Sequence, residues 1–360
     1  MTPIVFPNPA RQRSAGRPID GSPLAFHRKL AGYQPTPLVP APGLAADLGL
    51  SQLWVKVESS RLGLPAFKLL GASWATYRLL CARLGHEPEW TTLEELRAAL
   101  APLGPLTLAA ATDGNHGRAV AHMAAWLGYD ARIFVPGGTA EARIRAIAAE
   151  GATVTVIDGT YDHAVEASAA IATDEVLVVS DTSWPGYAEV PQWVIDGYST
   201  IFAEVDEQLA GARPEVVVSQ MGVGALTAAV VDHFGSTSAI VAVEPINAAC
   251  GLRSAQAGHP VEVPGPHDSI MAGLNCGNVS FIAWPTVVAG VDVFVAVDDA
   301  AAERAMRDLA TIGVVAGETG GAGLAGLRAL AETGSLPGTT ALVICTEGAT
   351  DPEAYARIVG

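Results

Sequence analysis

Apolar positions along this chain follow two alternating periods. Short runs rich in β-branched residues at 53–57, 106–111, 132–135, 153–157, 176–179, 215–218, 240–244, 291–297 and 340–345 predict strands. Between them, apolar residues spaced three and four apart predict helices. One covers 67–84, where Leu69, Leu70, Trp74, Tyr77 and Cys81 share a face; others cover 114–127, 140–150 (ended by Gly151), 161–173 and 187–209. A further helix opens at Asp298 and Asp299, whose carboxylates suit the positive end of a helix. Strands apolar on both faces, each followed by a helix, predict parallel sheets covered on both sides. The fold class is therefore α/β, with mostly parallel sheets in three layers. About the first 40 residues, rich in Pro, Gly and Arg, predict an extended arm. No period of 20–50 residues repeats and no low-complexity linker intervenes, so two α/β domains in close contact are expected.

Composition narrows the function classes. Half of the 360 residues are apolar, enough for a sizeable core. The net charge of −16 repels phosphate backbones, so neither nucleic acid nor an anionic membrane is an expected partner. No apolar run reaches the length of a membrane span. The start, Met1-Thr2-Pro3-Ile4-Val5-Phe6, has no basic segment before an apolar stretch, so no secretory leader is expected. Cys81, Cys250, Cys276 and Cys345 and the eight histidines show no metal-ligand spacing, so no metal is expected and a cytoplasmic setting with reduced thiols is. Of 21 basic residues only Lys29, Lys56 and Lys68 are lysines.

Lys68 stands between Phe67 and two leucines at the start of a predicted helix. Apolar burial and the helix end both favour a neutral amine, the form that Schiff-base chemistry needs. A lysine at such a place can equally keep its head in water. Three strand ends add to it. Ala111-Thr112-Asp113-Gly114-Asn115-His116-Gly117 leaves a strand and opens a helix, where backbone N–H groups can meet an anion, Asn115 can donate to a phenolate-type oxygen and Asp113 can act as a base or simply cap the helix. Ser219-Gln220-Met221-Gly222-Val223-Gly224-Ala225-Leu226 forms a second anion cradle; it lacks the Lys-Ser/Thr of a nucleotide loop and the third glycine of a dinucleotide loop. Thr346, after the last strand, can set a neutral hydroxyl against a ring nitrogen or cap a turn. Ligands in open α/β sheets sit beyond such strand ends.

Taken in order, these segments resemble the tryptophan-synthase-β-like (fold type II) pyridoxal-phosphate enzymes and, among them, the diaminopropionate ammonia-lyases. The resemblance rests on Glu58-Ser59 through Lys68, Thr112-Asp113-Gly114-Asn115-His116-Gly117, Asp181-Thr182-Ser183-Trp184-Pro185-Gly186-Tyr187, Gly222-Val223-Gly224-Ala225 and Thr346-Glu347-Gly348, with Ile270–Leu274 and Gly317–Gly320 adding to it. It implies two α/β domains, 1–75 with 191–360 as the larger, cofactor-binding one and 76–190 as the smaller, with the cofactor cleft between them. It implies pyridoxal 5′-phosphate carried by Lys68, its 3′-oxygen met by Asn115, its phosphate held by the backbone of Gly222, Val223, Gly224, Ala225 and Leu226, and its ring nitrogen faced by Thr346. By the same resemblance Lys68 takes the α-proton of an L-amino acid, Asp113 takes it from the opposite face, and Asp181 binds or protonates the leaving β-amine. The expected activity is elimination of ammonia from 2,3-diaminopropionate, by a homodimer.

A dehydratase or β-replacement enzyme acting on serine, threonine, hydroxyaspartate or O-acetylserine shares the cofactor, and a pyridoxal-phosphate-binding protein without turnover shares the lysine. Asp113 favours a cationic substrate over an acidic one. Val57, Ser60, Met221 and Asn278 depart from the family pattern and bear on the substrate more than on the cofactor. Cys250 and Cys276, on loops expected at the mouth of the site, are a candidate reversible disulfide.

Overall fold

Residues 1–12, 16–17, 20–112 and 114–360 are described by a computed structural model. The β-branched runs form eleven strands among these residues: β1 (Ile4–Pro7), β2 (Leu38–Pro40), β3 (Gln52–Val57), β4 (Thr107–Ala111), β5 (Asp130–Pro136), β6 (Thr153–Ile157), β7 (Val176–Val178), β8 (Val216–Gln220), β9 (Ala239–Pro245), β10 (Val293–Val297) and β11 (Thr340–Cys345). They build one sheet of order β1-β10-β9-β8-β11-β3-β2 and a second of order β6-β5-β4-β7. Pairing is parallel throughout except at the two edges of the larger sheet, where β1 and β2 run antiparallel to their neighbours. The central strands are buried on both faces, as their unbroken apolar runs require.

The described part of the first 40 residues is not the extended arm that their composition predicts. Ile4–Pro7 pairs with β10, and Asn8 anchors the turn that follows by donating to the carbonyls of Val288 and Val291 at 2.8 and 2.7 Å. The helix Ser22–His27 then sets Phe26 among the rings of Trp74, Tyr77 and Trp90. Proline and arginine marked an irregular path, but the few apolar residues on it are enough to dock it.

Two helices position the site. Lys68–Leu84 begins at Lys68 and ends at Gly85, whose φ of 85° is the left-handed conformation glycine adopts cheaply. It lies across Glu189–Leu209, and the approach depends on a glycine from each: a Cβ on Gly71 would come within 2.5 Å of the Tyr198 ring, and one on Gly197 within 2.5 Å of the Leu70 carbonyl. Leu69, Leu70 and Leu80 are fully buried in this contact region, each contributing about 1.5–3 kcal/mol. A side chain at either glycine would push the helix that carries Lys68 off its seat. No helix among the described residues is long and apolar enough to cross a membrane.

Candidate active site

The register of the larger sheet aligns Lys56 with Ile344 and Val57 with Cys345, so β3 and β11 end side by side. The segments leaving them stay joined: Glu58, Phe67 and Gly348 donate backbone N–H groups to Cys345, Thr346 and Pro65. In the smaller sheet β4 and β7 are neighbours, and their ends lead into Asn115 and Asp181. These strand ends and that of β8 enclose a cleft lined by Lys68, Asn115, His116, Tyr161, Asp181, Gly222 to Leu226, Thr346 and Glu347, among others.

Lys68 Nζ donates to Asp181 Oδ2 at 2.5 Å, and the Tyr161 hydroxyl donates to Oδ1 at 3.1 Å. Burial alone would raise the Asp181 carboxyl, but the Lys68 ammonium in contact with it outweighs that and holds it well below the usual carboxylate range. His116 Nδ1 lies 3.9 Å from the same Oδ2, while Nε2 is 2.8 Å from the Val179 carbonyl. A carbonyl only accepts, so Nε2 carries the proton. Burial pushes the imidazole down, and its Nδ1 has no hydrogen-bond partner among the described residues.

The glycine loop forms the opposite wall. A Cβ on Gly222 would lie 3.1 Å from the Gly273 carbonyl and 3.2 Å from Cys276 Sγ, so a side chain there would need its neighbours to give by a few tenths of an ångström. The helix Ala225–Phe234 starts immediately after, and its first-turn N–H groups have no intrahelical partner. Met221, unexpected before such a loop, is buried; its methyl group rests on Gly251, where a Cβ would come within 2.3 Å of it. Behind the loop the Cys250 thiol lies 3.5 Å from the Gly222 carbonyl, and the Glu244 carboxyl accepts from the N–H groups of Gly251 and Leu252 at 2.7 and 2.8 Å. Burial pushes Glu244 up to about 8. No disulfide links Cys250 to Cys276. Asn278 hydrogen-bonds Asp162, a half-buried carboxyl that an acid at position 278 would repel.

Lys68, Asn115, Asp181, the segment Gly222 to Leu226 and Thr346, drawn from both halves of the sequence, thus line one cleft. Asp113 lies outside the described residues. One expectation changes: the Lys68 amine faces a carboxylate, not an apolar wall. Sequence reasoning did not single out Tyr161, Thr319 or Glu347. Glu347 had a signal in its place beside Thr346, whereas nothing local connects Tyr161 to Asp181.

The family model described as "Pyridoxal-phosphate dependent enzyme" matches residues 29–347. The chain belongs to that family. It is 37% identical over 357 residues to the diaminopropionate ammonia-lyase of Escherichia coli strain K12, covering 93% of this chain and 89% of that protein. It is 35% identical over 365 residues to the diaminopropionate ammonia-lyase of Salmonella typhimurium strain LT2, covering 93% and 90%. A crystal structure of the Escherichia coli diaminopropionate ammonia-lyase in complex with D-serine superposes with a TM-score of 0.91 at 34% identity, covering 99% of this chain and 97% of that one. The cleft suits the family's cofactor in kind: an amine for an aldehyde, a closely packed glycine loop beside a helix start for a phosphate, a carboxamide for a phenolic oxygen and a buried hydroxyl for a ring nitrogen.

Proposed function

We propose that this chain eliminates ammonia from 2,3-diaminopropionate, yielding pyruvate and two molecules of ammonia with consumption of one water. The observation that carries the reading is the Lys68–Asp181 pair, a base and a carboxylate 2.5 Å apart inside the cleft. The likeness to two diaminopropionate ammonia-lyases over nine-tenths of the chain supports it. Pyridoxal 5′-phosphate would be held by Lys68 through its amine, by the backbone of Gly222, Val223, Gly224, Ala225 and Leu226 at its phosphate, by Asn115 at its 3′-oxygen and by Thr346 at its ring nitrogen. When bound it supplies an electron sink for the charge left on the substrate's α-carbon.

The chain's own residues then do the following. Lys68 Nζ takes the α-proton of an L-substrate. Asp113 takes it from the opposite face of a D-substrate; that a D-amino acid is accepted is supported by the D-serine complex of the relative. Asp181, ionised, holds the β-ammonium, so the nitrogen enters already protonated and leaves as ammonia. The free enamine product tautomerises and hydrolyses in water to pyruvate and the second ammonia. We read 1–75 with 191–360 and 76–190 as the two domains flanking the cleft, a division supported by the four strands of the smaller sheet all lying within 107–178. A cytoplasmic homodimer is the form we propose, on the family resemblance.

Ammonia and pyruvate release from D- and L-diaminopropionate, serine, threonine and hydroxyaspartate tests the reading. Diaminopropionate is expected to have the highest kcat/KM, and Asp113→Asn to lose the D- but not the L-isomer. A preference for the hydroxy amino acids would overturn the assignment in favour of a dehydratase.

A further inference from the structure

Glu347 is 1% exposed, and its carboxylate receives groups from elements of both sheets. From the larger side, the N–H of Thr319 in the first turn of Glu318–Glu332 donates to Oε1 at 3.2 Å. From the smaller side, Asn115, at the start of Asn115–Leu127, donates its side-chain N–H to Oε2, and Arg143 Nη2 stands 3.9 Å from Oε1. The backbone is held as well: the Gly317 N–H donates to the Glu347 carbonyl at 3.0 Å, and Ala66, just ahead of Lys68, pairs with Glu347 in a β-bridge. The carboxylate therefore has a fixed position and a fixed partner.

A carboxylate can only accept. The end of the Asn115 carboxamide that meets it must be the amide nitrogen, because the opposite rotation would set two acceptor oxygens against each other. That nitrogen has two N–H groups. One is taken by Glu347, and the other is left to donate from a side chain that lines the cleft. We propose that Glu347 is the positioning residue for Asn115, selecting the carboxamide rotation in which Asn115 presents an N–H, rather than a carbonyl, to the phenolic oxygen of pyridoxal phosphate. This inference rests on the cofactor reading above. Arg143 is the cation facing Glu347. Its charged or titratable neighbours include Glu318 and Cys345, both pushed up by burial first and by the charge of Glu347 second.

Glu347→Gln tests it, because a carboxamide at 347 accepts either rotation of Asn115. Full-length protein is stripped and titrated with pyridoxal phosphate, and the visible band of the lysine-bound cofactor is followed against pH. Glu347→Gln is expected to weaken cofactor binding about tenfold, the worth of one charge-assisted hydrogen bond. It should also move the pH at which the band changes to lower values, because a nearby negative charge that favoured the protonated form is gone. On an Asn115→Ala background the same substitution should add less than about twofold, since Glu347 acts through Asn115. Unchanged binding and pH profile in Glu347→Gln overturn the inference, as does a full tenfold effect without Asn115. Should Glu347→Gln fail to fold, Glu347→Asp, which withdraws the carboxylate by one methylene, is read in the same way. A wild-type protein with no cofactor band would defeat the cofactor reading, and this inference with it.

Discussion

Lys56 and Lys68 lie at the two ends of one short segment, and each touches a carboxylate, yet they sit in opposite surroundings. Lys56 is fully buried, and its three protons have three acceptors: Glu204 Oε2 at 2.7 Å, the Thr36 carbonyl at 2.8 Å and Gln208 Oε1 at 3.0 Å. Arg61 completes the cluster, reaching Glu58 at 2.6 and 2.9 Å and Glu204 at 2.7 and 2.9 Å. Two cations and two carboxylates cancel. Burial pulls the Lys56 ammonium down against the opposing pull of Glu58 and Glu204; Glu204, which burial alone would raise, is held low by Arg61 and Lys56. Lys68 meets the carboxylate of Asp181, and its side chain keeps 19% of its surface exposed in the cleft. A charge whose acceptors are all supplied by the protein is fixed in place. A lysine on an open wall can meet a ligand. The closed cluster also anchors Glu58 and Arg61 at the start of the segment that ends in Lys68, so the structural lysine serves the reactive one.

Substituting each lysine tests this division most severely. Lys68→Ala is expected to abolish the lysine-bound cofactor band and lower kcat/KM by about 10⁴-fold, with a smaller loss of stability in the cofactor-free protein than Lys56→Met causes. Lys56→Met should do the reverse. Without Lys56 the buried cluster keeps two carboxylates, Glu58 and Glu204, but only the one cation of Arg61, a net charge that costs about 3–5 kcal/mol in denaturant unfolding, while turnover per folded molecule stays within about twofold. If Lys68→Ala destabilises as much as Lys56→Met, the distinction between the two clusters is wrong. Asp181→Asn is next in size: a loss of about 10²-fold in kcat with the cofactor band retained, because the β-ammonium loses its anion but Lys68 keeps its amine. A variant that instead lost the band would place Asp181 in cofactor attachment.

The same contrast explains what the sequence allowed one to read. Lys68 and the strand-end loops were legible because their signals are local: a lysine opening a helix, glycines at a strand end, an asparagine one residue into a helix. Lys56 was not legible, because its partner Glu204 lies in the middle of a distant helix and nothing near either residue announces the other. Most strands fell within a residue or two of their predicted ends. β8 ran on to Gln220 because that polar side chain is buried and donates to the Ile344 carbonyl at 2.6 Å, tying β8 to β11 where sequence alone reads a loop. The helix expected from 187 begins at Glu189 because Trp184 and Tyr187 first close a turn, exchanging backbone hydrogen bonds and stacking their rings 4.3 Å apart. The capping box of Thr92 and Glu95 was readable and marks Leu93–Leu100, a helix the apolar periodicity missed.

The smallest effect gives the sharpest comparison, because each cluster contains a tyrosine that donates to its carboxylate. Tyr161 reaches Asp181 Oδ1 at 3.1 Å, and Tyr33 reaches Glu204 Oε1 at 2.7 Å. Removing either hydroxyl takes one donor from an ionised acid, which raises that acid's pKa. Asp181 must be ionised to hold the β-ammonium, so kcat/KM falls on the acid side as that carboxyl takes up its proton. In Tyr161→Phe the carboxyl rises, and the acid limb of kcat/KM should move up by about one pH unit, with a loss of about threefold or less at neutral pH. In Tyr33→Phe the rise falls on Glu204, which holds no substrate. Its folded-state pKa is depressed, so its contribution to stability is present above the unfolded value of 4.5 and is lost as pH falls toward about 2. Raising that lower limit should narrow the window of acid stability by a comparable amount and leave the acid limb of activity in place. Matched pH–rate and acid-unfolding profiles of the two variants separate these outcomes. A shift of the activity limb in Tyr33→Phe, or none in Tyr161→Phe, would mean that the closed cluster and the open one do not divide stability and chemistry between them.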